Sequence, residues 1–187
     1  SAHNSRDSFL KFERLKDKEF DCVIVYNGIN DVAMNYVEGS LYRDDYSHCG
    51  WYASFQRRLK SGRMSMTEIS SDLLQSISRQ PRPDDLQYGD NIKTARSVQS
   101  NLSSIASQAA QNGSTVVLMS FASYIPTNYT KARFRAGELD YSSGQFDMPV
   151  EQWGRVKDIT KMLAVQNKAV RQLAEERKTV WVDQAEL

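Results

Sequence analysis

Apolar positions in this chain alternate between two spacings. From Asp7 to Glu19, the residues Phe9, Leu10, Phe12 and Leu15 recur at roughly helical spacing and predict a helix. Phe20 to Tyr26 follows as a strand. Its centre, Cys22-Val23-Ile24-Val25, is continuously apolar, a pattern that suits a strand covered on both faces. Residues 34 to 64 mix aromatic and charged side chains without a period, and a helix is expected from about Thr67 to Ile77. Pro81, Pro83 and Gly89 mark Gln80 to Gly89 as a loop. With Asp90 as the expected N-cap, Ile92, Ala95, Val98, Leu102, Ile105 and Ala109 then repeat every three or four positions, as far as Gly113. Thr115 to Phe121, TVVLMSF, is a second buried strand. The stretch from 122 to 148 has no period. From Asp158 onward, Ile159, Met162, Leu163, Val170 and Leu173 mark another helix, and Thr179 to Val182 is a third strand, followed by Asp183.

Helices alternating with buried strands imply a parallel α/β sheet with helices on both of its faces. The 187 residues suffice for one domain with a sizeable core. The two aperiodic stretches, about 34 to 89 and 122 to 150, read as insertions into that domain.

Charge adds little to this picture. Lys and Arg number 24 against 23 Asp and Glu, so the net charge of +1 offers no general attraction for nucleic acid, and none is expected as a partner. No apolar run approaches the roughly 20 residues that span a bilayer. Cys22 is expected to be a buried small hydrophobe and Cys49 to lie in a polar loop; two cysteines make neither a disulfide framework nor a zinc site. With two histidines, His3 and His48, a histidine-rich metal centre is not expected.

The chemistry concentrates where the first strand ends. In open parallel sheets, ligands gather beyond the carboxyl ends of the strands, and Asn27-Gly28-Ile29-Asn30-Asp31 lies at such an end. Gly28 allows a sharp turn. Asn30 offers two neutral N–H donors; aimed at a developing oxyanion, one such donor is worth roughly 2.7–4 kcal/mol. Asp31 is placed to fix the loop by accepting backbone N–H groups. The competing reading is that Asn, Gly and Asp are ordinary turn residues.

The stretch VIVYNGINDV resembles the third conserved block, Gly-x-Asn-Asp, of the SGNH hydrolases, the GDSL-type esterase/lipase superfamily. DSFLKFERLKDKEFDCVIVYNGIND resembles the helix and strand leading into that block. STVVLMSFASYIP resembles the next strand, and MLAVQNKAVRQLAEERKTVWVDQAEL the late helix and the strand ending in Asp. The resemblance implies a three-layer αβα, flavodoxin-like fold and hydrolysis of small-molecule or carbohydrate esters, with Asn30 as oxyanion donor and Gly28 and Asp31 shaping the loop. It implies no metal or organic cofactor.

The family's nucleophilic Ser in an early Gly-Asp-Ser, its oxyanion Gly and its late Asp-x-x-His have no match here. Arg6-Asp7-Ser8 lacks the glycine and a preceding strand, and Ser8 suits a helix N-cap better. Asp45-Tyr46-Ser47-His48 has the Asp-x-x-His spacing but follows Asn30 by 18 residues instead of the last strand. The expectation is therefore an internal fragment of a longer hydrolase, inactive alone. The rival is a non-catalytic α/β module in which Asn30 and Asp31 bind a carbohydrate or nucleotide. Three further features are weighed. The aromatics Tyr42, Tyr46, Trp51, Tyr52 and Phe55 read as core or lid, or as a sugar-stacking surface. The basic cluster Arg57, Arg58, Lys60 and Arg63 reads as a solvated face. The stretch Tyr124 to Tyr141 reads as a second lid wall, in which an anionic substrate group facing Arg133 and Arg135 is the minor alternative.

Overall fold

The structure, a computed structural model, describes residues 3–15, 17–35, 37, 41–48, 92–139 and 149–186. Helix α1 (Ser5–Arg14) leads into β1 (Cys22–Val25) and the short helix α2 (Ile29–Val32), which tightens into a 3-10 turn over Ala33–Asn35. Helix α3 (Thr94–Gln111) leads into β2 (Thr115–Met119), the short helix α4 (Lys131–Ala136), the long helix α5 (Val156–Arg177) and β3 (Val180–Val182).

The helix α1 starts earlier than its apolar spacing suggests because Asn4 caps it. The Asn4 side chain accepts the Asp7 N–H, and the Asp7 carboxylate accepts the Asn4 N–H, a reciprocal capping box. Ser8, expected at the cap, lies one turn inside. At the other end of α3, Gly113 takes a φ of +79, the left-handed conformation that stops a helix without a Cβ penalty. Lys178 makes the same stop after α5 with a φ of +53.

The three strands are parallel and ordered β1-β2-β3, with Val25 opposite Leu118 and Leu118 opposite Trp181. Because side chains alternate across a strand, Val23, Val25, Val116, Leu118 and Trp181 share one face. Helices α1, α3 and α5 pack on that face. Phe12, Val98, Leu102, Ile105, Ala109, Val170 and Leu173 meet it in one buried cluster. A second cluster, Val32 with Ile159, Met162 and Leu163, fastens α2 to the first half of α5.

The opposite face differs from expectation. Ile24 is 65% exposed and Val180 49%, and Cys22 is exposed instead of buried. All three point away from α1, α3 and α5, and no described helix covers them. The α/β character with a parallel sheet holds, but the described residues cover the sheet on one face. The continuous apolar run of β1 therefore does not mean burial on both sides among these residues.

The expected helix at 67–77, the loop at 80–89, the Asp90 cap, Cys49, Trp51, Tyr52, Phe55, Tyr141 and the basic cluster at 57–63 lie outside the described residues. Among the described residues no helix is long and apolar enough to cross a membrane.

Candidate functional site at the carboxyl rim of the sheet

Strands β1 and β2 end side by side, and the residues that follow them form a polar rim. Beyond β1, Tyr26 stacks on Phe121 with ring centroids 5.1 Å apart. Gly28 sits directly against Phe121, and a Cβ added at Gly28 would overlap that ring. The glycine is needed for this close approach; its backbone is extended. The Phe121 main chain is held in turn by Asn167 of α5, whose side chain accepts the Phe121 N–H at 2.8 Å and donates to its carbonyl at 3.1 Å. Ser120 donates to Asp183 at 2.6 Å and accepts the Ala185 N–H, so the ends of β2 and β3 are tied as well.

Asn30 is half-buried at this rim. Its carboxamide donates one N–H to the carbonyl of His3 at 3.0 Å, just before α1. The carboxamide plane is thereby oriented, and its second N–H has no protein partner among the described residues. Asn27 reaches the same helix by donating to Ser8 Oγ at 3.1 Å.

Beneath Asn30, Asp31 is fully buried. It accepts the Ser5 N–H at 3.1 and 3.0 Å on its two oxygens, the Ser5 hydroxyl at 2.6 Å and the Tyr46 hydroxyl at 2.8 Å. Asn101 of α3 donates to Ser5 Oγ from the other side. Asp31 thus accepts a backbone N–H from the first turn of α1, where the helix dipole favours a negative charge, and not from its own loop. Burial pushes its carboxyl up to about 6, more than the hydrogen bonds from Ser5 and Tyr46 pull it down; nearby Asp7 adds to the rise. The Tyr46 hydroxyl, also buried, is held protonated well above its usual range.

One turn further on, Asn35 does for α3 what Asp31 does for α1. Its Oδ1 accepts the N–H groups of Lys93 and Thr94 at 2.9 and 3.1 Å. Its Nδ2 donates to Thr94 Oγ1 at 2.7 Å and to the Val32 carbonyl. Gln166 of α5 donates to the same hydroxyl at 2.9 Å. The N-terminus of α3 has no cap from its own Lys93 side chain; the cap comes from 58 residues earlier in the chain.

Two triad look-alikes are engaged otherwise. His48 Nδ1 accepts the Arg43 N–H at 3.0 Å, and Nε2 faces the Met34 carbonyl at 2.8 Å. Those partners require the neutral tautomer with its proton on Nε2. Burial lowers the His48 pKa in the same direction. Asp45 accepts the Ser47 N–H, closing its own turn. Ser8 Oγ donates to the Asn4 carbonyl and accepts from Asn27. His3 contacts Lys11 through Nε2.

Sequence reasoning missed Ser5, Asn35, Asn101 and Gln166. Asn4-x-x-Asp7 was a readable capping signal, since an Asx followed three residues later by an acid marks a helix start. The polar residues on the apolar face of α3, Ser97 and Asn101, signalled a buried polar partner. Among the described residues no group of three or more His, Cys, Asp or Glu side chains is placed to hold a metal ion. No protein-family model, curated protein or solved structure matches the chain.

Proposed function

We propose that the chain forms the central and late part of an SGNH-type serine ester hydrolase, a three-layer αβα domain of the flavodoxin-like kind, with Asn30 as oxyanion-hole donor. The observation that carries this reading is the Asn30 carboxamide at the carboxyl rim of a parallel sheet. One N–H is anchored on a backbone carbonyl and the other has no protein partner among the described residues. Attack of a serine alkoxide on an ester carbonyl puts negative charge on the carbonyl oxygen. A neutral donor already oriented by its neighbour meets that charge without rearranging. Asp31 and Gly28 serve the donor indirectly, the first by fixing the start of α1 and the second by admitting Phe121.

In this reading the nucleophile and its histidine base come from sequence other than these 187 residues. Ser8 and His48 are both committed to internal hydrogen bonds. Water is the second substrate, the first is a small-molecule or carbohydrate ester, and no metal or organic cofactor enters. An oxyanion donor without an activated serine has no tetrahedral intermediate to stabilise. The 187-residue chain is therefore expected to leave p-nitrophenyl acetate intact and to resist labelling by a fluorophosphonate. The protein expressed with its flanking coding sequence is expected to do both reactions. Turnover by the chain alone that disappears in Asn30→Ala would overturn the division of the site. A flanked protein inert to both reagents would overturn the hydrolase reading and favour a binding module.

A further inference from the structure

After β2 the chain forms a separate concavity of about 380 Å³, lined by Tyr124, Pro126, Thr127, Asn128, Arg133 and Glu138. One reading of this stretch has Arg133 and Arg135 meeting an anionic substrate group. The geometry argues against it. Arg133 Nε pairs with Glu138 at 3.4 Å, and Nη1 donates to the Asn128 carbonyl at 3.3 Å. Arg135 does not line the pocket. The cationic charge is matched within the wall, so an incoming anion gains little there.

What remains is a mixed set of donors and acceptors. The Arg133 Nη2, the Asn128 carboxamide and the Thr127 hydroxyl have no partner among the described residues. The Glu138 carboxylate, on a side chain 59% exposed, has acceptor capacity left. Beside them Tyr124 is 74% exposed, the most exposed large hydrophobic residue among the described residues. The wall is braced before any ligand arrives. Tyr129 closes a turn on the Pro126 carbonyl, and its hydroxyl donates to Glu151 at 2.6 Å and accepts the Val150 N–H. Thr130 caps α4, and Gly137 ends it in the left-handed conformation, bringing Glu138 back beside Arg133. A preorganised wall spends less free energy on ordering when it binds.

We propose that this pocket binds a neutral saccharide, with the C–H face of a pyranose on the Tyr124 ring and adjacent hydroxyls shared between Arg133, Asn128 and Glu138. Each sugar hydroxyl is both donor and acceptor, which suits a wall offering both kinds of group in a charge-balanced pair. An aromatic face supplies rigid apolar area at small entropic cost. The proposal stands apart from the hydrolase reading, because binding at this pocket needs no turnover.

The test is an NMR titration of the ¹⁵N-labelled 187-residue chain with methyl glucopyranoside, methyl galactopyranoside and methyl mannopyranoside, each against sodium glucuronate and sodium phosphate. At least one neutral glycoside should shift the amides of Tyr124, Thr127, Asn128 and Glu138 saturably, with millimolar affinity. Glucuronate should bind no more tightly than that glycoside. Tyr124→Ala, at an exposed position, should weaken binding roughly tenfold, and Asn128→Ala should weaken it without altering the dispersion of the spectrum. The proposal is overturned if no glycoside shifts these amides, if Tyr124→Ala binds like the parent, or if phosphate or glucuronate binds there in preference.

Discussion

Asp31 and Asn35 lie one helical turn apart, and each caps a helix far away in sequence, yet they do so with different chemistry. Asp31 holds α1 with a buried carboxylate surrounded by the Ser5 N–H, the Ser5 hydroxyl and the Tyr46 hydroxyl. Asn35 holds α3 with a neutral carboxamide that both accepts from the helix and donates to Thr94. The carboxylate gains from the helix dipole but carries a desolvation cost that pushes its pKa up to about 6. The carboxamide has neither the gain nor the cost. The α2 segment is thus a clamp between two helix starts, and one jaw of it carries a buried titratable group. Asn30 rides on that clamp, since the His3 carbonyl that orients it directly precedes the helix Asp31 secures.

The largest expected loss is at the neutral jaw. Asn35→Ala removes two cap bonds, leaving the Lys93 and Thr94 N–H groups without their acceptor, and takes one of its two side-chain donors from the Thr94 hydroxyl. It should cost about 3 to 4 kcal/mol in urea unfolding, by the same amount at pH 5 and pH 8. A pH-dependent loss would mean that the two jaws are not separable.

The charged jaw should show a slope instead. A carboxyl raised from 3.8 to about 6 lets the folded state hold a proton that the unfolded chain has released. The stability contributed by that proton is full below pH 3.8 and is lost as pH rises through about 6. The loss is about 3 kcal/mol at 1.36 kcal/mol per pH unit. Asp31→Asn should erase this slope, so the stability of the parent minus that of the variant should fall across that window. His48 acts in the opposite sense. Its lowered pKa makes the unfolded chain take up a proton first, so its contribution is lost as pH falls through 6.5. Taking the difference between two proteins that both keep His48 removes that effect. A flat difference curve would contradict the assignment.

A smaller effect refines the picture. Tyr46→Phe deletes one hydrogen bond to Asp31 and should cost about 1 kcal/mol at neutral pH. Because that bond favours the ionised form, the midpoint of the Asp31 slope should also move up in pH. A variant that loses stability with no movement of the midpoint would show that the hydroxyl packs but does not tune.

How much of this was legible follows the range over which each signal acts. Helix α3 was readable because Val98, Leu102, Ile105 and Ala109 repeat on one face and Gly113 supplies a left-handed stop. Strand β2 was readable because Val116 and Leu118 lie within a short apolar run between turn residues. The face that β1 buries was not readable. Val25 and Ile24 are both apolar, and only the packing of α1, α3 and α5 decides that Val25 is covered and Ile24 is not. The site divides in the same way. Asn30 and Gly28 stood out because they sit after a strand. The partners that position them, His3 and Phe121, lie far away along the chain and carry no local pattern. The cap of α3 by Asn35 was invisible for the same reason: a remote side chain does what a local Ser or Asp usually does.

The proposed oxyanion role of Asn30 is read out by the kcat of Asn30→Ala in the protein carrying its flanking sequence, with p-nitrophenyl acetate as substrate. If Asn30 donates to the oxyanion, kcat should fall by roughly 10²–10³ with KM little changed, as expected for a bond formed in the transition state. A kcat within about twofold of the parent, against that expected loss, would contradict that role and leave Asn30 as a rim residue that ties α2 to the segment before α1.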